Sequence, residues 1–147
     1  DCTYVIAGAI PDSQIRELKE KAKQLHLENR IIIFGYATED DLVNLYQNAE
    51  FFIYPSFYEG FGLPVLDAMS SRCPVITSNN SSLIEITPDK KWLVDPYDLD
   101  DISGKINEIM NLSEQERYVL IKNNYNFSRK FTWEKTAEEY LEIFNTI

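Results

Sequence analysis

Two carboxylates, Glu59 and Asp67, stand eight positions apart around a glycine-bearing turn, and this is the stretch best equipped for chemistry. The run reads Pro-Ser-Phe-Tyr-Glu-Gly-Phe-Gly-Leu-Pro-Val-Leu-Asp-Ala-Met, residues 55–69. Gly60 and Gly62 carry no Cβ, so the backbone there can bend sharply and come close to a ligand. Pro64 suits the first turn of a helix, where its missing N–H costs nothing. A helix over about residues 64–71 would point its positive end at the loop, and bare amides at such a tip hold phosphate. Asp67 is expected in the first turn of that helix, a place the dipole favours for an acid.

Other chemistry-bearing residues are sparse. His26 is the only histidine and sits among Lys and Glu at a helix end, as a solvated residue would. Without a second histidine or a cysteine at ligand spacing, no metal site built from the protein is expected. Asp98, Asp100 and Asp101 lack the glycine and distal Glu of a calcium loop and read as an acidic helix start. Cys2 and Cys73 are too few for a disulfide framework and fit a reducing compartment, with Cys73 as a small apolar residue.

The chain has 147 residues, 44% hydrophobic and 13% aromatic, enough for a core within one domain over 1–147. Its formal net charge of −10 repels phosphate backbones and argues against nucleic acid as a partner. A single phosphorylated small molecule is still compatible, provided helix N-termini supply a local positive field. No apolar run approaches the ~20 residues a membrane-crossing helix needs. The opening Asp-Cys-Thr-Tyr has neither Met nor a basic start, so an excised piece without a leader is expected.

The elements that must position the loop alternate. Tyr4–Ala7, Ile31–Phe34, Phe51–Tyr54, Val75–Thr77 and Trp92–Val94 are β-branched and aromatic runs without polar alternation. Such runs read as parallel strands buried on both faces. Helical stripes lie between them: Ile15, Leu18, Ala22 and Leu25, then Leu42, Leu45, Tyr46 and Ala49, with Thr38 as N-cap. After Trp92 only helices follow. Leu99, Ile102, Ile106 and Ile109 make one stripe, Ser113 with Glu116 a capping box, and Trp133, Ala137, Tyr140, Leu141 and Phe144 another stripe behind Thr132. This alternation implies an α/β fold with an open parallel sheet of about five strands and a helical C-terminal segment. Since Phe51–Tyr54 is a strand, the loop after it lies at the carboxyl edge of the sheet, where such folds bind ligands.

Taken whole, residues 55–69 resemble the E-x7-E signature of the retaining glycosyltransferases of family four, the group 1 glycosyltransferases. The likeness includes the Pro-Ser before the loop, the Gly-Phe-Gly-Leu-Pro core and the Ala-Met after it. It implies a Rossmann-like C-terminal domain, one half of a GT-B fold, that binds a nucleoside-diphosphate sugar as donor. Through the resemblance, Glu59 would be the catalytic acid beside the transferred sugar. Ser56, Gly60, Phe61, Gly62, Leu63, Asp67 and Tyr36 would bind the donor: Gly62 and Leu63 through amides to the pyrophosphate, Asp67 at the ribose, Tyr36 beside the base. The family more often has Glu where Asp67 stands; the shorter side chain would need a bridging water or a small helix shift. Phe61 also reads as a packing anchor, and Glu85, in Ser82-Leu-Ile-Glu-Ile, matches a segment that would brace the site.

The resemblance implies retaining transfer to a polysaccharide, lipid-linked or other acceptor, with no cofactor beyond the donor substrate. Relatives carry an Arg and Lys pair just before the strand that starts here at Tyr4, and a separate acceptor domain; both are expected to be missing from this chain, together with the domain's first strand. The piece is then expected to fold but not to turn over alone. Its parent would work in the cytoplasm, at the inner face of the cell membrane, by peripheral association. A second reading is a domain that holds a sugar nucleotide without catalysing transfer. A flavodoxin-like signalling domain would want acids after the first strand, where Gly8-Ala-Ile-Pro stands, and an epimerase would want more histidines.

Overall fold

The computed structural model describes residues 2–146. In chain order the elements are β1 (Tyr4–Ala7), α1 (Asp12–Gln24), β2 (Ile31–Gly35), α2 (Glu39–Asn48), β3 (Phe52–Tyr54), α3 (Leu63–Ser70), β4 (Val75–Ser78), β5 (Leu93–Val94), α4 (Leu99–Met110), α5 (Glu114–Ser128) and α6 (Trp133–Asn145). All five expected strands are present, and every ladder is parallel. They hydrogen-bond as a pair, β1-β2, and as a triple, β3-β4-β5. The contacts gather into two compact units, Asp1–Asn44 and Leu45–Ile147, with the boundary inside α2.

In the first unit β1 and β2 pair in register from Tyr4 with Ile31 to Ile6 with Ile33. Ile31 and Ile33 face Leu18 and Ala22 of α1 across a cleft of about 320 Å³. The expectation of burial on both faces fails here, because Val5, Ile32 and Phe34 are exposed. An unbroken apolar run states that a strand is compatible with two covering layers, not that both are present. The N-cap at Thr38 is as expected: its hydroxyl accepts from Asp41 N–H at 3.2 Å, and Asp41 Oδ2 accepts from Thr38 N–H at 2.9 Å.

The second unit holds the better-packed core. β4 is buried at all four positions, which is what its place between β3 and β5 demands. Ile76, Val94, Trp92, Ile109 and Leu120 form a buried cluster, flanked by Phe51, Ile53, Ile102, Ile106 and Leu112. Trp92 belongs to a short 3-10 turn ahead of β5 rather than to the strand itself. α3 is mostly buried through Val65, Leu66, Ala68 and Met69. Cys73 is fully buried, and burial raises its thiol pKa to about 12. The stripe of α6 behaves differently: Trp133, Tyr140, Leu141 and Phe144 are all exposed. Among the described residues no helix is long and apolar enough to cross a membrane.

Caps legible in the sequence form as read. Thr132 accepts from Lys135 N–H; Asp98, read only as part of an acidic helix start, also caps α4 by accepting from the amides of Asp100 and Asp101. Ser113 and Glu116 make a reciprocal capping box at the start of α5. Ser113→Ala should therefore destabilise the chain by about 1 kcal/mol, read as a lower urea midpoint at unchanged slope. The Ser113 side chain and amide hold the Glu116 carboxyl below its ordinary pKa. That contribution is present above the unfolded carboxylate pKa and is lost as pH falls through the lower folded value.

Candidate functional site

The parallel register of β3 and β4 sets up the site. Tyr54 pairs with Thr77, so the chain leaving β4 runs beside the chain leaving β3. The polar residues at the end of β4 then grip the neighbouring loop by its carbonyls. Thr77 Oγ1 donates to Tyr54 O at 2.9 Å and Ser78 Oγ to Ser56 O at 2.6 Å. Asn80 Nδ2 donates to Phe57 O at 3.1 Å and to Ser56 O at 3.3 Å. Thr77 and Ser78 are completely buried, so these bonds also satisfy hydroxyls that would otherwise be costly.

Glu59 is the most heavily held residue of the loop. Its N–H donates to Ser81 Oγ at 3.1 Å, and its carbonyl accepts from Ser82 Oγ at 3.0 Å. Its carboxylate accepts twice on one oxygen: Tyr54 Oη donates to Oε1 at 2.6 Å and Ser56 Oγ at 2.8 Å. The Ser56 hydroxyl also lies 3.2 Å from Tyr58 O, but it has one proton, and the shorter contact to a charged acceptor takes it. Burial and the hydrogen bond to Glu59 raise the Tyr54 phenol to about 12. It therefore stays a proton donor at any ordinary working pH. Ser81 itself has φ of 46°, an uncommon backbone for a non-glycine residue, and it is at this bend that its hydroxyl reaches Glu59.

Gly62 and Gly60 turn out to be different kinds of glycine. Gly62 caps α3 with φ of 101° and ψ of 41°. A Cβ there would lie 2.7 Å from Leu83 Cδ2 and 2.8 Å from Ile86 Cδ1. At Gly60 a Cβ would meet nothing within 4 Å, and its φ is not in the left-handed region. The sharp turn and the close approach are thus the work of Gly62 alone, which corrects the pairing of the two. α3 begins at Leu63, one residue earlier than expected, with Pro64 in its first turn. Val65 N–H closes on Gly62 O at 3.0 Å, and Pro64 has no N–H, so the Leu63 amide must find its acceptor outside the helix. Gly62 is buried, while Phe61 and Leu63 beside it are 45% and 48% exposed.

Asp67 lies beyond the first turn of α3, which has no acid in that turn. The dipole explanation for it therefore falls, because that effect fades within one turn. Asp67 acts electrostatically on Tyr46, whose pKa is raised to about 12 by burial first, then by Asp67 and Cys73. Phe61 meets Phe131 edge-on at 6.0 Å between ring centroids, as a packing anchor would. Tyr36 follows β2 in the first unit and is 82% exposed. Glu85 is exposed, and the bracing of the loop comes instead from its neighbours Ser81, Ser82, Leu83 and Ile86.

Sequence reasoning brought Ser56, Glu59, Gly62 and Leu63 to one loop, and the fold does the same. It missed Tyr54, Ser81 and Ser82. Tyr54 was visible only as a strand residue, since its hydroxyl shows its purpose once the turn folds Glu59 back beneath it.

Comparison with known proteins identifies the family and the fold. The family model of glycosyl transferases group 1 matches residues 1–127. O-antigen chain mannosyltransferase B of Escherichia coli is 37% identical over 120 residues, covering 82% of this chain and 31% of that protein. A serotype-specific mannosyltransferase, WbdA of Escherichia coli, is 32% identical over 97% of this chain and 18% of its own length. Among solved structures, Anabaena Alr3699/HepE in complex with UDP and glucose superposes with a TM-score of 0.87 at 20% identity, covering 99% of this chain and 41% of that one. The C-terminal domain of a group 1 glycosyl transferase (LpcC) from Francisella tularensis gives 0.75 at 31% identity, covering 87% of this chain and 68% of that one. The chain thus spans less than a third of the two mannosyltransferases it matches. It belongs to the group 1 glycosyl transferases and has the α/β fold of the C-terminal domain of their GT-B architecture.

Proposed function

We propose that this chain is the donor-binding domain of a retaining glycosyltransferase that takes its sugar from a nucleoside diphosphate. The observation that carries the reading is Glu59, fixed by Tyr54 and Ser56 in a loop that ends at the start of α3. A carboxylate immobilised beside a helix N-terminus suits a ligand with a sugar at one end and a diphosphate at the other.

In this reading the pyrophosphate meets the amides of Gly62 and Leu63, with Gly60 and Phe61 shaping the turn. Ser56 orients Glu59, Asp67 accepts from the ribose hydroxyls, and Tyr36 flanks the base. Breaking the bond between sugar and diphosphate builds negative charge on the leaving group. Fixed N–H dipoles stabilise that charge more in the transition state than in the ground state. Glu59 orients the sugar and stabilises positive charge developing at its anomeric carbon. Asp67, engaged with ribose, is not the partner of Glu59 in a two-carboxylate mechanism of the glycosidase kind.

The mannosyltransferases among the relatives favour a hexose as the transferred sugar, and the acceptor in this reading is a polysaccharide, a lipid-linked or another acceptor. The donor enters without a cofactor or metal held by the protein. The acceptor would be held by a further domain of the whole protein, working in the cytoplasm at the inner face of the membrane. Alone, the chain would bind donor weakly and not turn over; sugar transfer by the purified chain would refute that. A domain that holds a sugar nucleotide without catalysing transfer is the second reading.

Calorimetric titration of the whole protein with UDP, GDP, UDP-glucose and GDP-mannose tests the reading. One base is expected to bind clearly more tightly than the other, with release of nucleoside diphosphate from its sugar form. Failure of all four to bind would overturn it; binding without release would favour the second reading.

A further inference from the structure

We propose that Tyr54 is a positioning residue for sugar transfer: its hydroxyl, with that of Ser56, occupies Oε1 of Glu59 and leaves Oε2 as the oxygen available to a bound sugar. This rests on the reading of Glu59 as the acid beside the sugar.

A glutamate side chain has three rotatable bonds, and on a loop it would sample several rotamers at little cost. Here the main chain is anchored at both its N–H and its carbonyl by Ser81 and Ser82, so only the side chain remains to be fixed. Two hydroxyls do so on a single oxygen, at 2.6 Å and 2.8 Å. Both donors approach from β3 and the second residue beyond its end, so the second carboxylate oxygen is held in one orientation. Oε2 takes neither bond.

Of the two donors, Tyr54 is the one carried by the sheet itself. Its carbonyl is held by Thr77 Oγ1 at 2.9 Å. Its ring stacks on Phe52 at 5.7 Å, and Phe52 meets Tyr46 edge-on at 5.1 Å. The phenol therefore stands on the sheet, whereas Ser56 lies on the loop that carries Glu59, its carbonyl held by Ser78 and Asn80. A hydrogen bond from a rigid donor to a charged acceptor gives an orientation that a solvated carboxylate would lack.

A double-mutant cycle in the whole protein separates positioning from general support. Turnover is read as nucleoside diphosphate released by hydrolysis of UDP-glucose and of GDP-mannose, water taking the sugar, and binding as the Kd of UDP and GDP. Tyr54→Phe keeps the ring and its stacking and removes only the donor. It is expected to lower kcat roughly tenfold, as loss of one charge-assisted bond would, with Kd for the diphosphate within about twofold. In a Glu59→Ala background the same change is expected to cost nothing further. An equal loss in both backgrounds, or no loss in either, would overturn the proposal while leaving the reading of Glu59 intact. If Glu59→Ala alone leaves turnover unchanged, the reading of Glu59 fails and this proposal with it.

Discussion

Gly62→Ala is expected to destabilise the chain by about 2–5 kcal/mol, while Gly60→Ala shifts it by no more than about 0.5 kcal/mol. The two glycines stand two residues apart in one loop, so the contrast isolates geometry from sequence context. At Gly62 two independent penalties coincide. The backbone has φ of 101°, which an L side chain rarely adopts, and holding alanine there costs about 1–3 kcal/mol. The new methyl would also lie 2.7–2.8 Å from Leu83 Cδ2 and Ile86 Cδ1. Leu83 is fully buried and Ile86 nearly so, which leaves them little room to withdraw, and overpacking of this kind costs about 1–3 kcal/mol. Gly60 meets neither penalty. Urea denaturation of the wild type and both variants reads the difference directly. A Gly62→Ala midpoint close to wild type would mean that the turn at the head of α3 can relax, and the close approach seen there would lose its meaning. Any such relaxation would move the Leu63 amide as well, so nucleoside diphosphate affinity should fall even where stability holds.

The same contrast explains what the sequence could and could not convey. Caps at Thr38, Ser113 and Thr132 were legible because donor and acceptor lie within one turn of each other. Strands were legible because their runs are short, apolar and punctuated. The candidate loop could be picked out through its own residues, from Ser56 to Leu63. What holds that loop was not legible, because its partners come from 22 to 24 positions later, brought alongside by the parallel pairing of Phe52 with Val75 and Tyr54 with Thr77. Nothing in Ser78, Asn80, Ser81 or Ser82 as residue types distinguishes a carbonyl grip from an ordinary polar turn. Gly60 and Gly62 looked alike for the same reason: what separates them is Leu83 and Ile86, which arrive from beyond β4. The exposed faces of β1 and α6 mark a different limit. Periodicity states which residues share a face, and leaves open what covers that face.

Glu59→Gln should lower turnover of the whole protein by about 10²–10³-fold with little loss of stability. The amide is nearly the same shape, and its oxygen can still accept from Tyr54 and Ser56 in place of Oε1. What disappears is the negative charge, which matters only as positive charge develops on the sugar during transfer. A fall in kcat with an unchanged melting temperature and an unchanged Kd for nucleoside diphosphate is the expected pattern. Glu59→Ala removes the acceptor as well. It leaves the half-buried Tyr54 hydroxyl without its partner, so a further destabilisation of about 1–3 kcal/mol is expected on top of the lost turnover. The pair of variants therefore separates the two things this side chain does. If Glu59→Gln turned over normally while Glu59→Ala merely melted earlier, Glu59 would be a structural strut of the loop, and the charge would have no part in the chemistry.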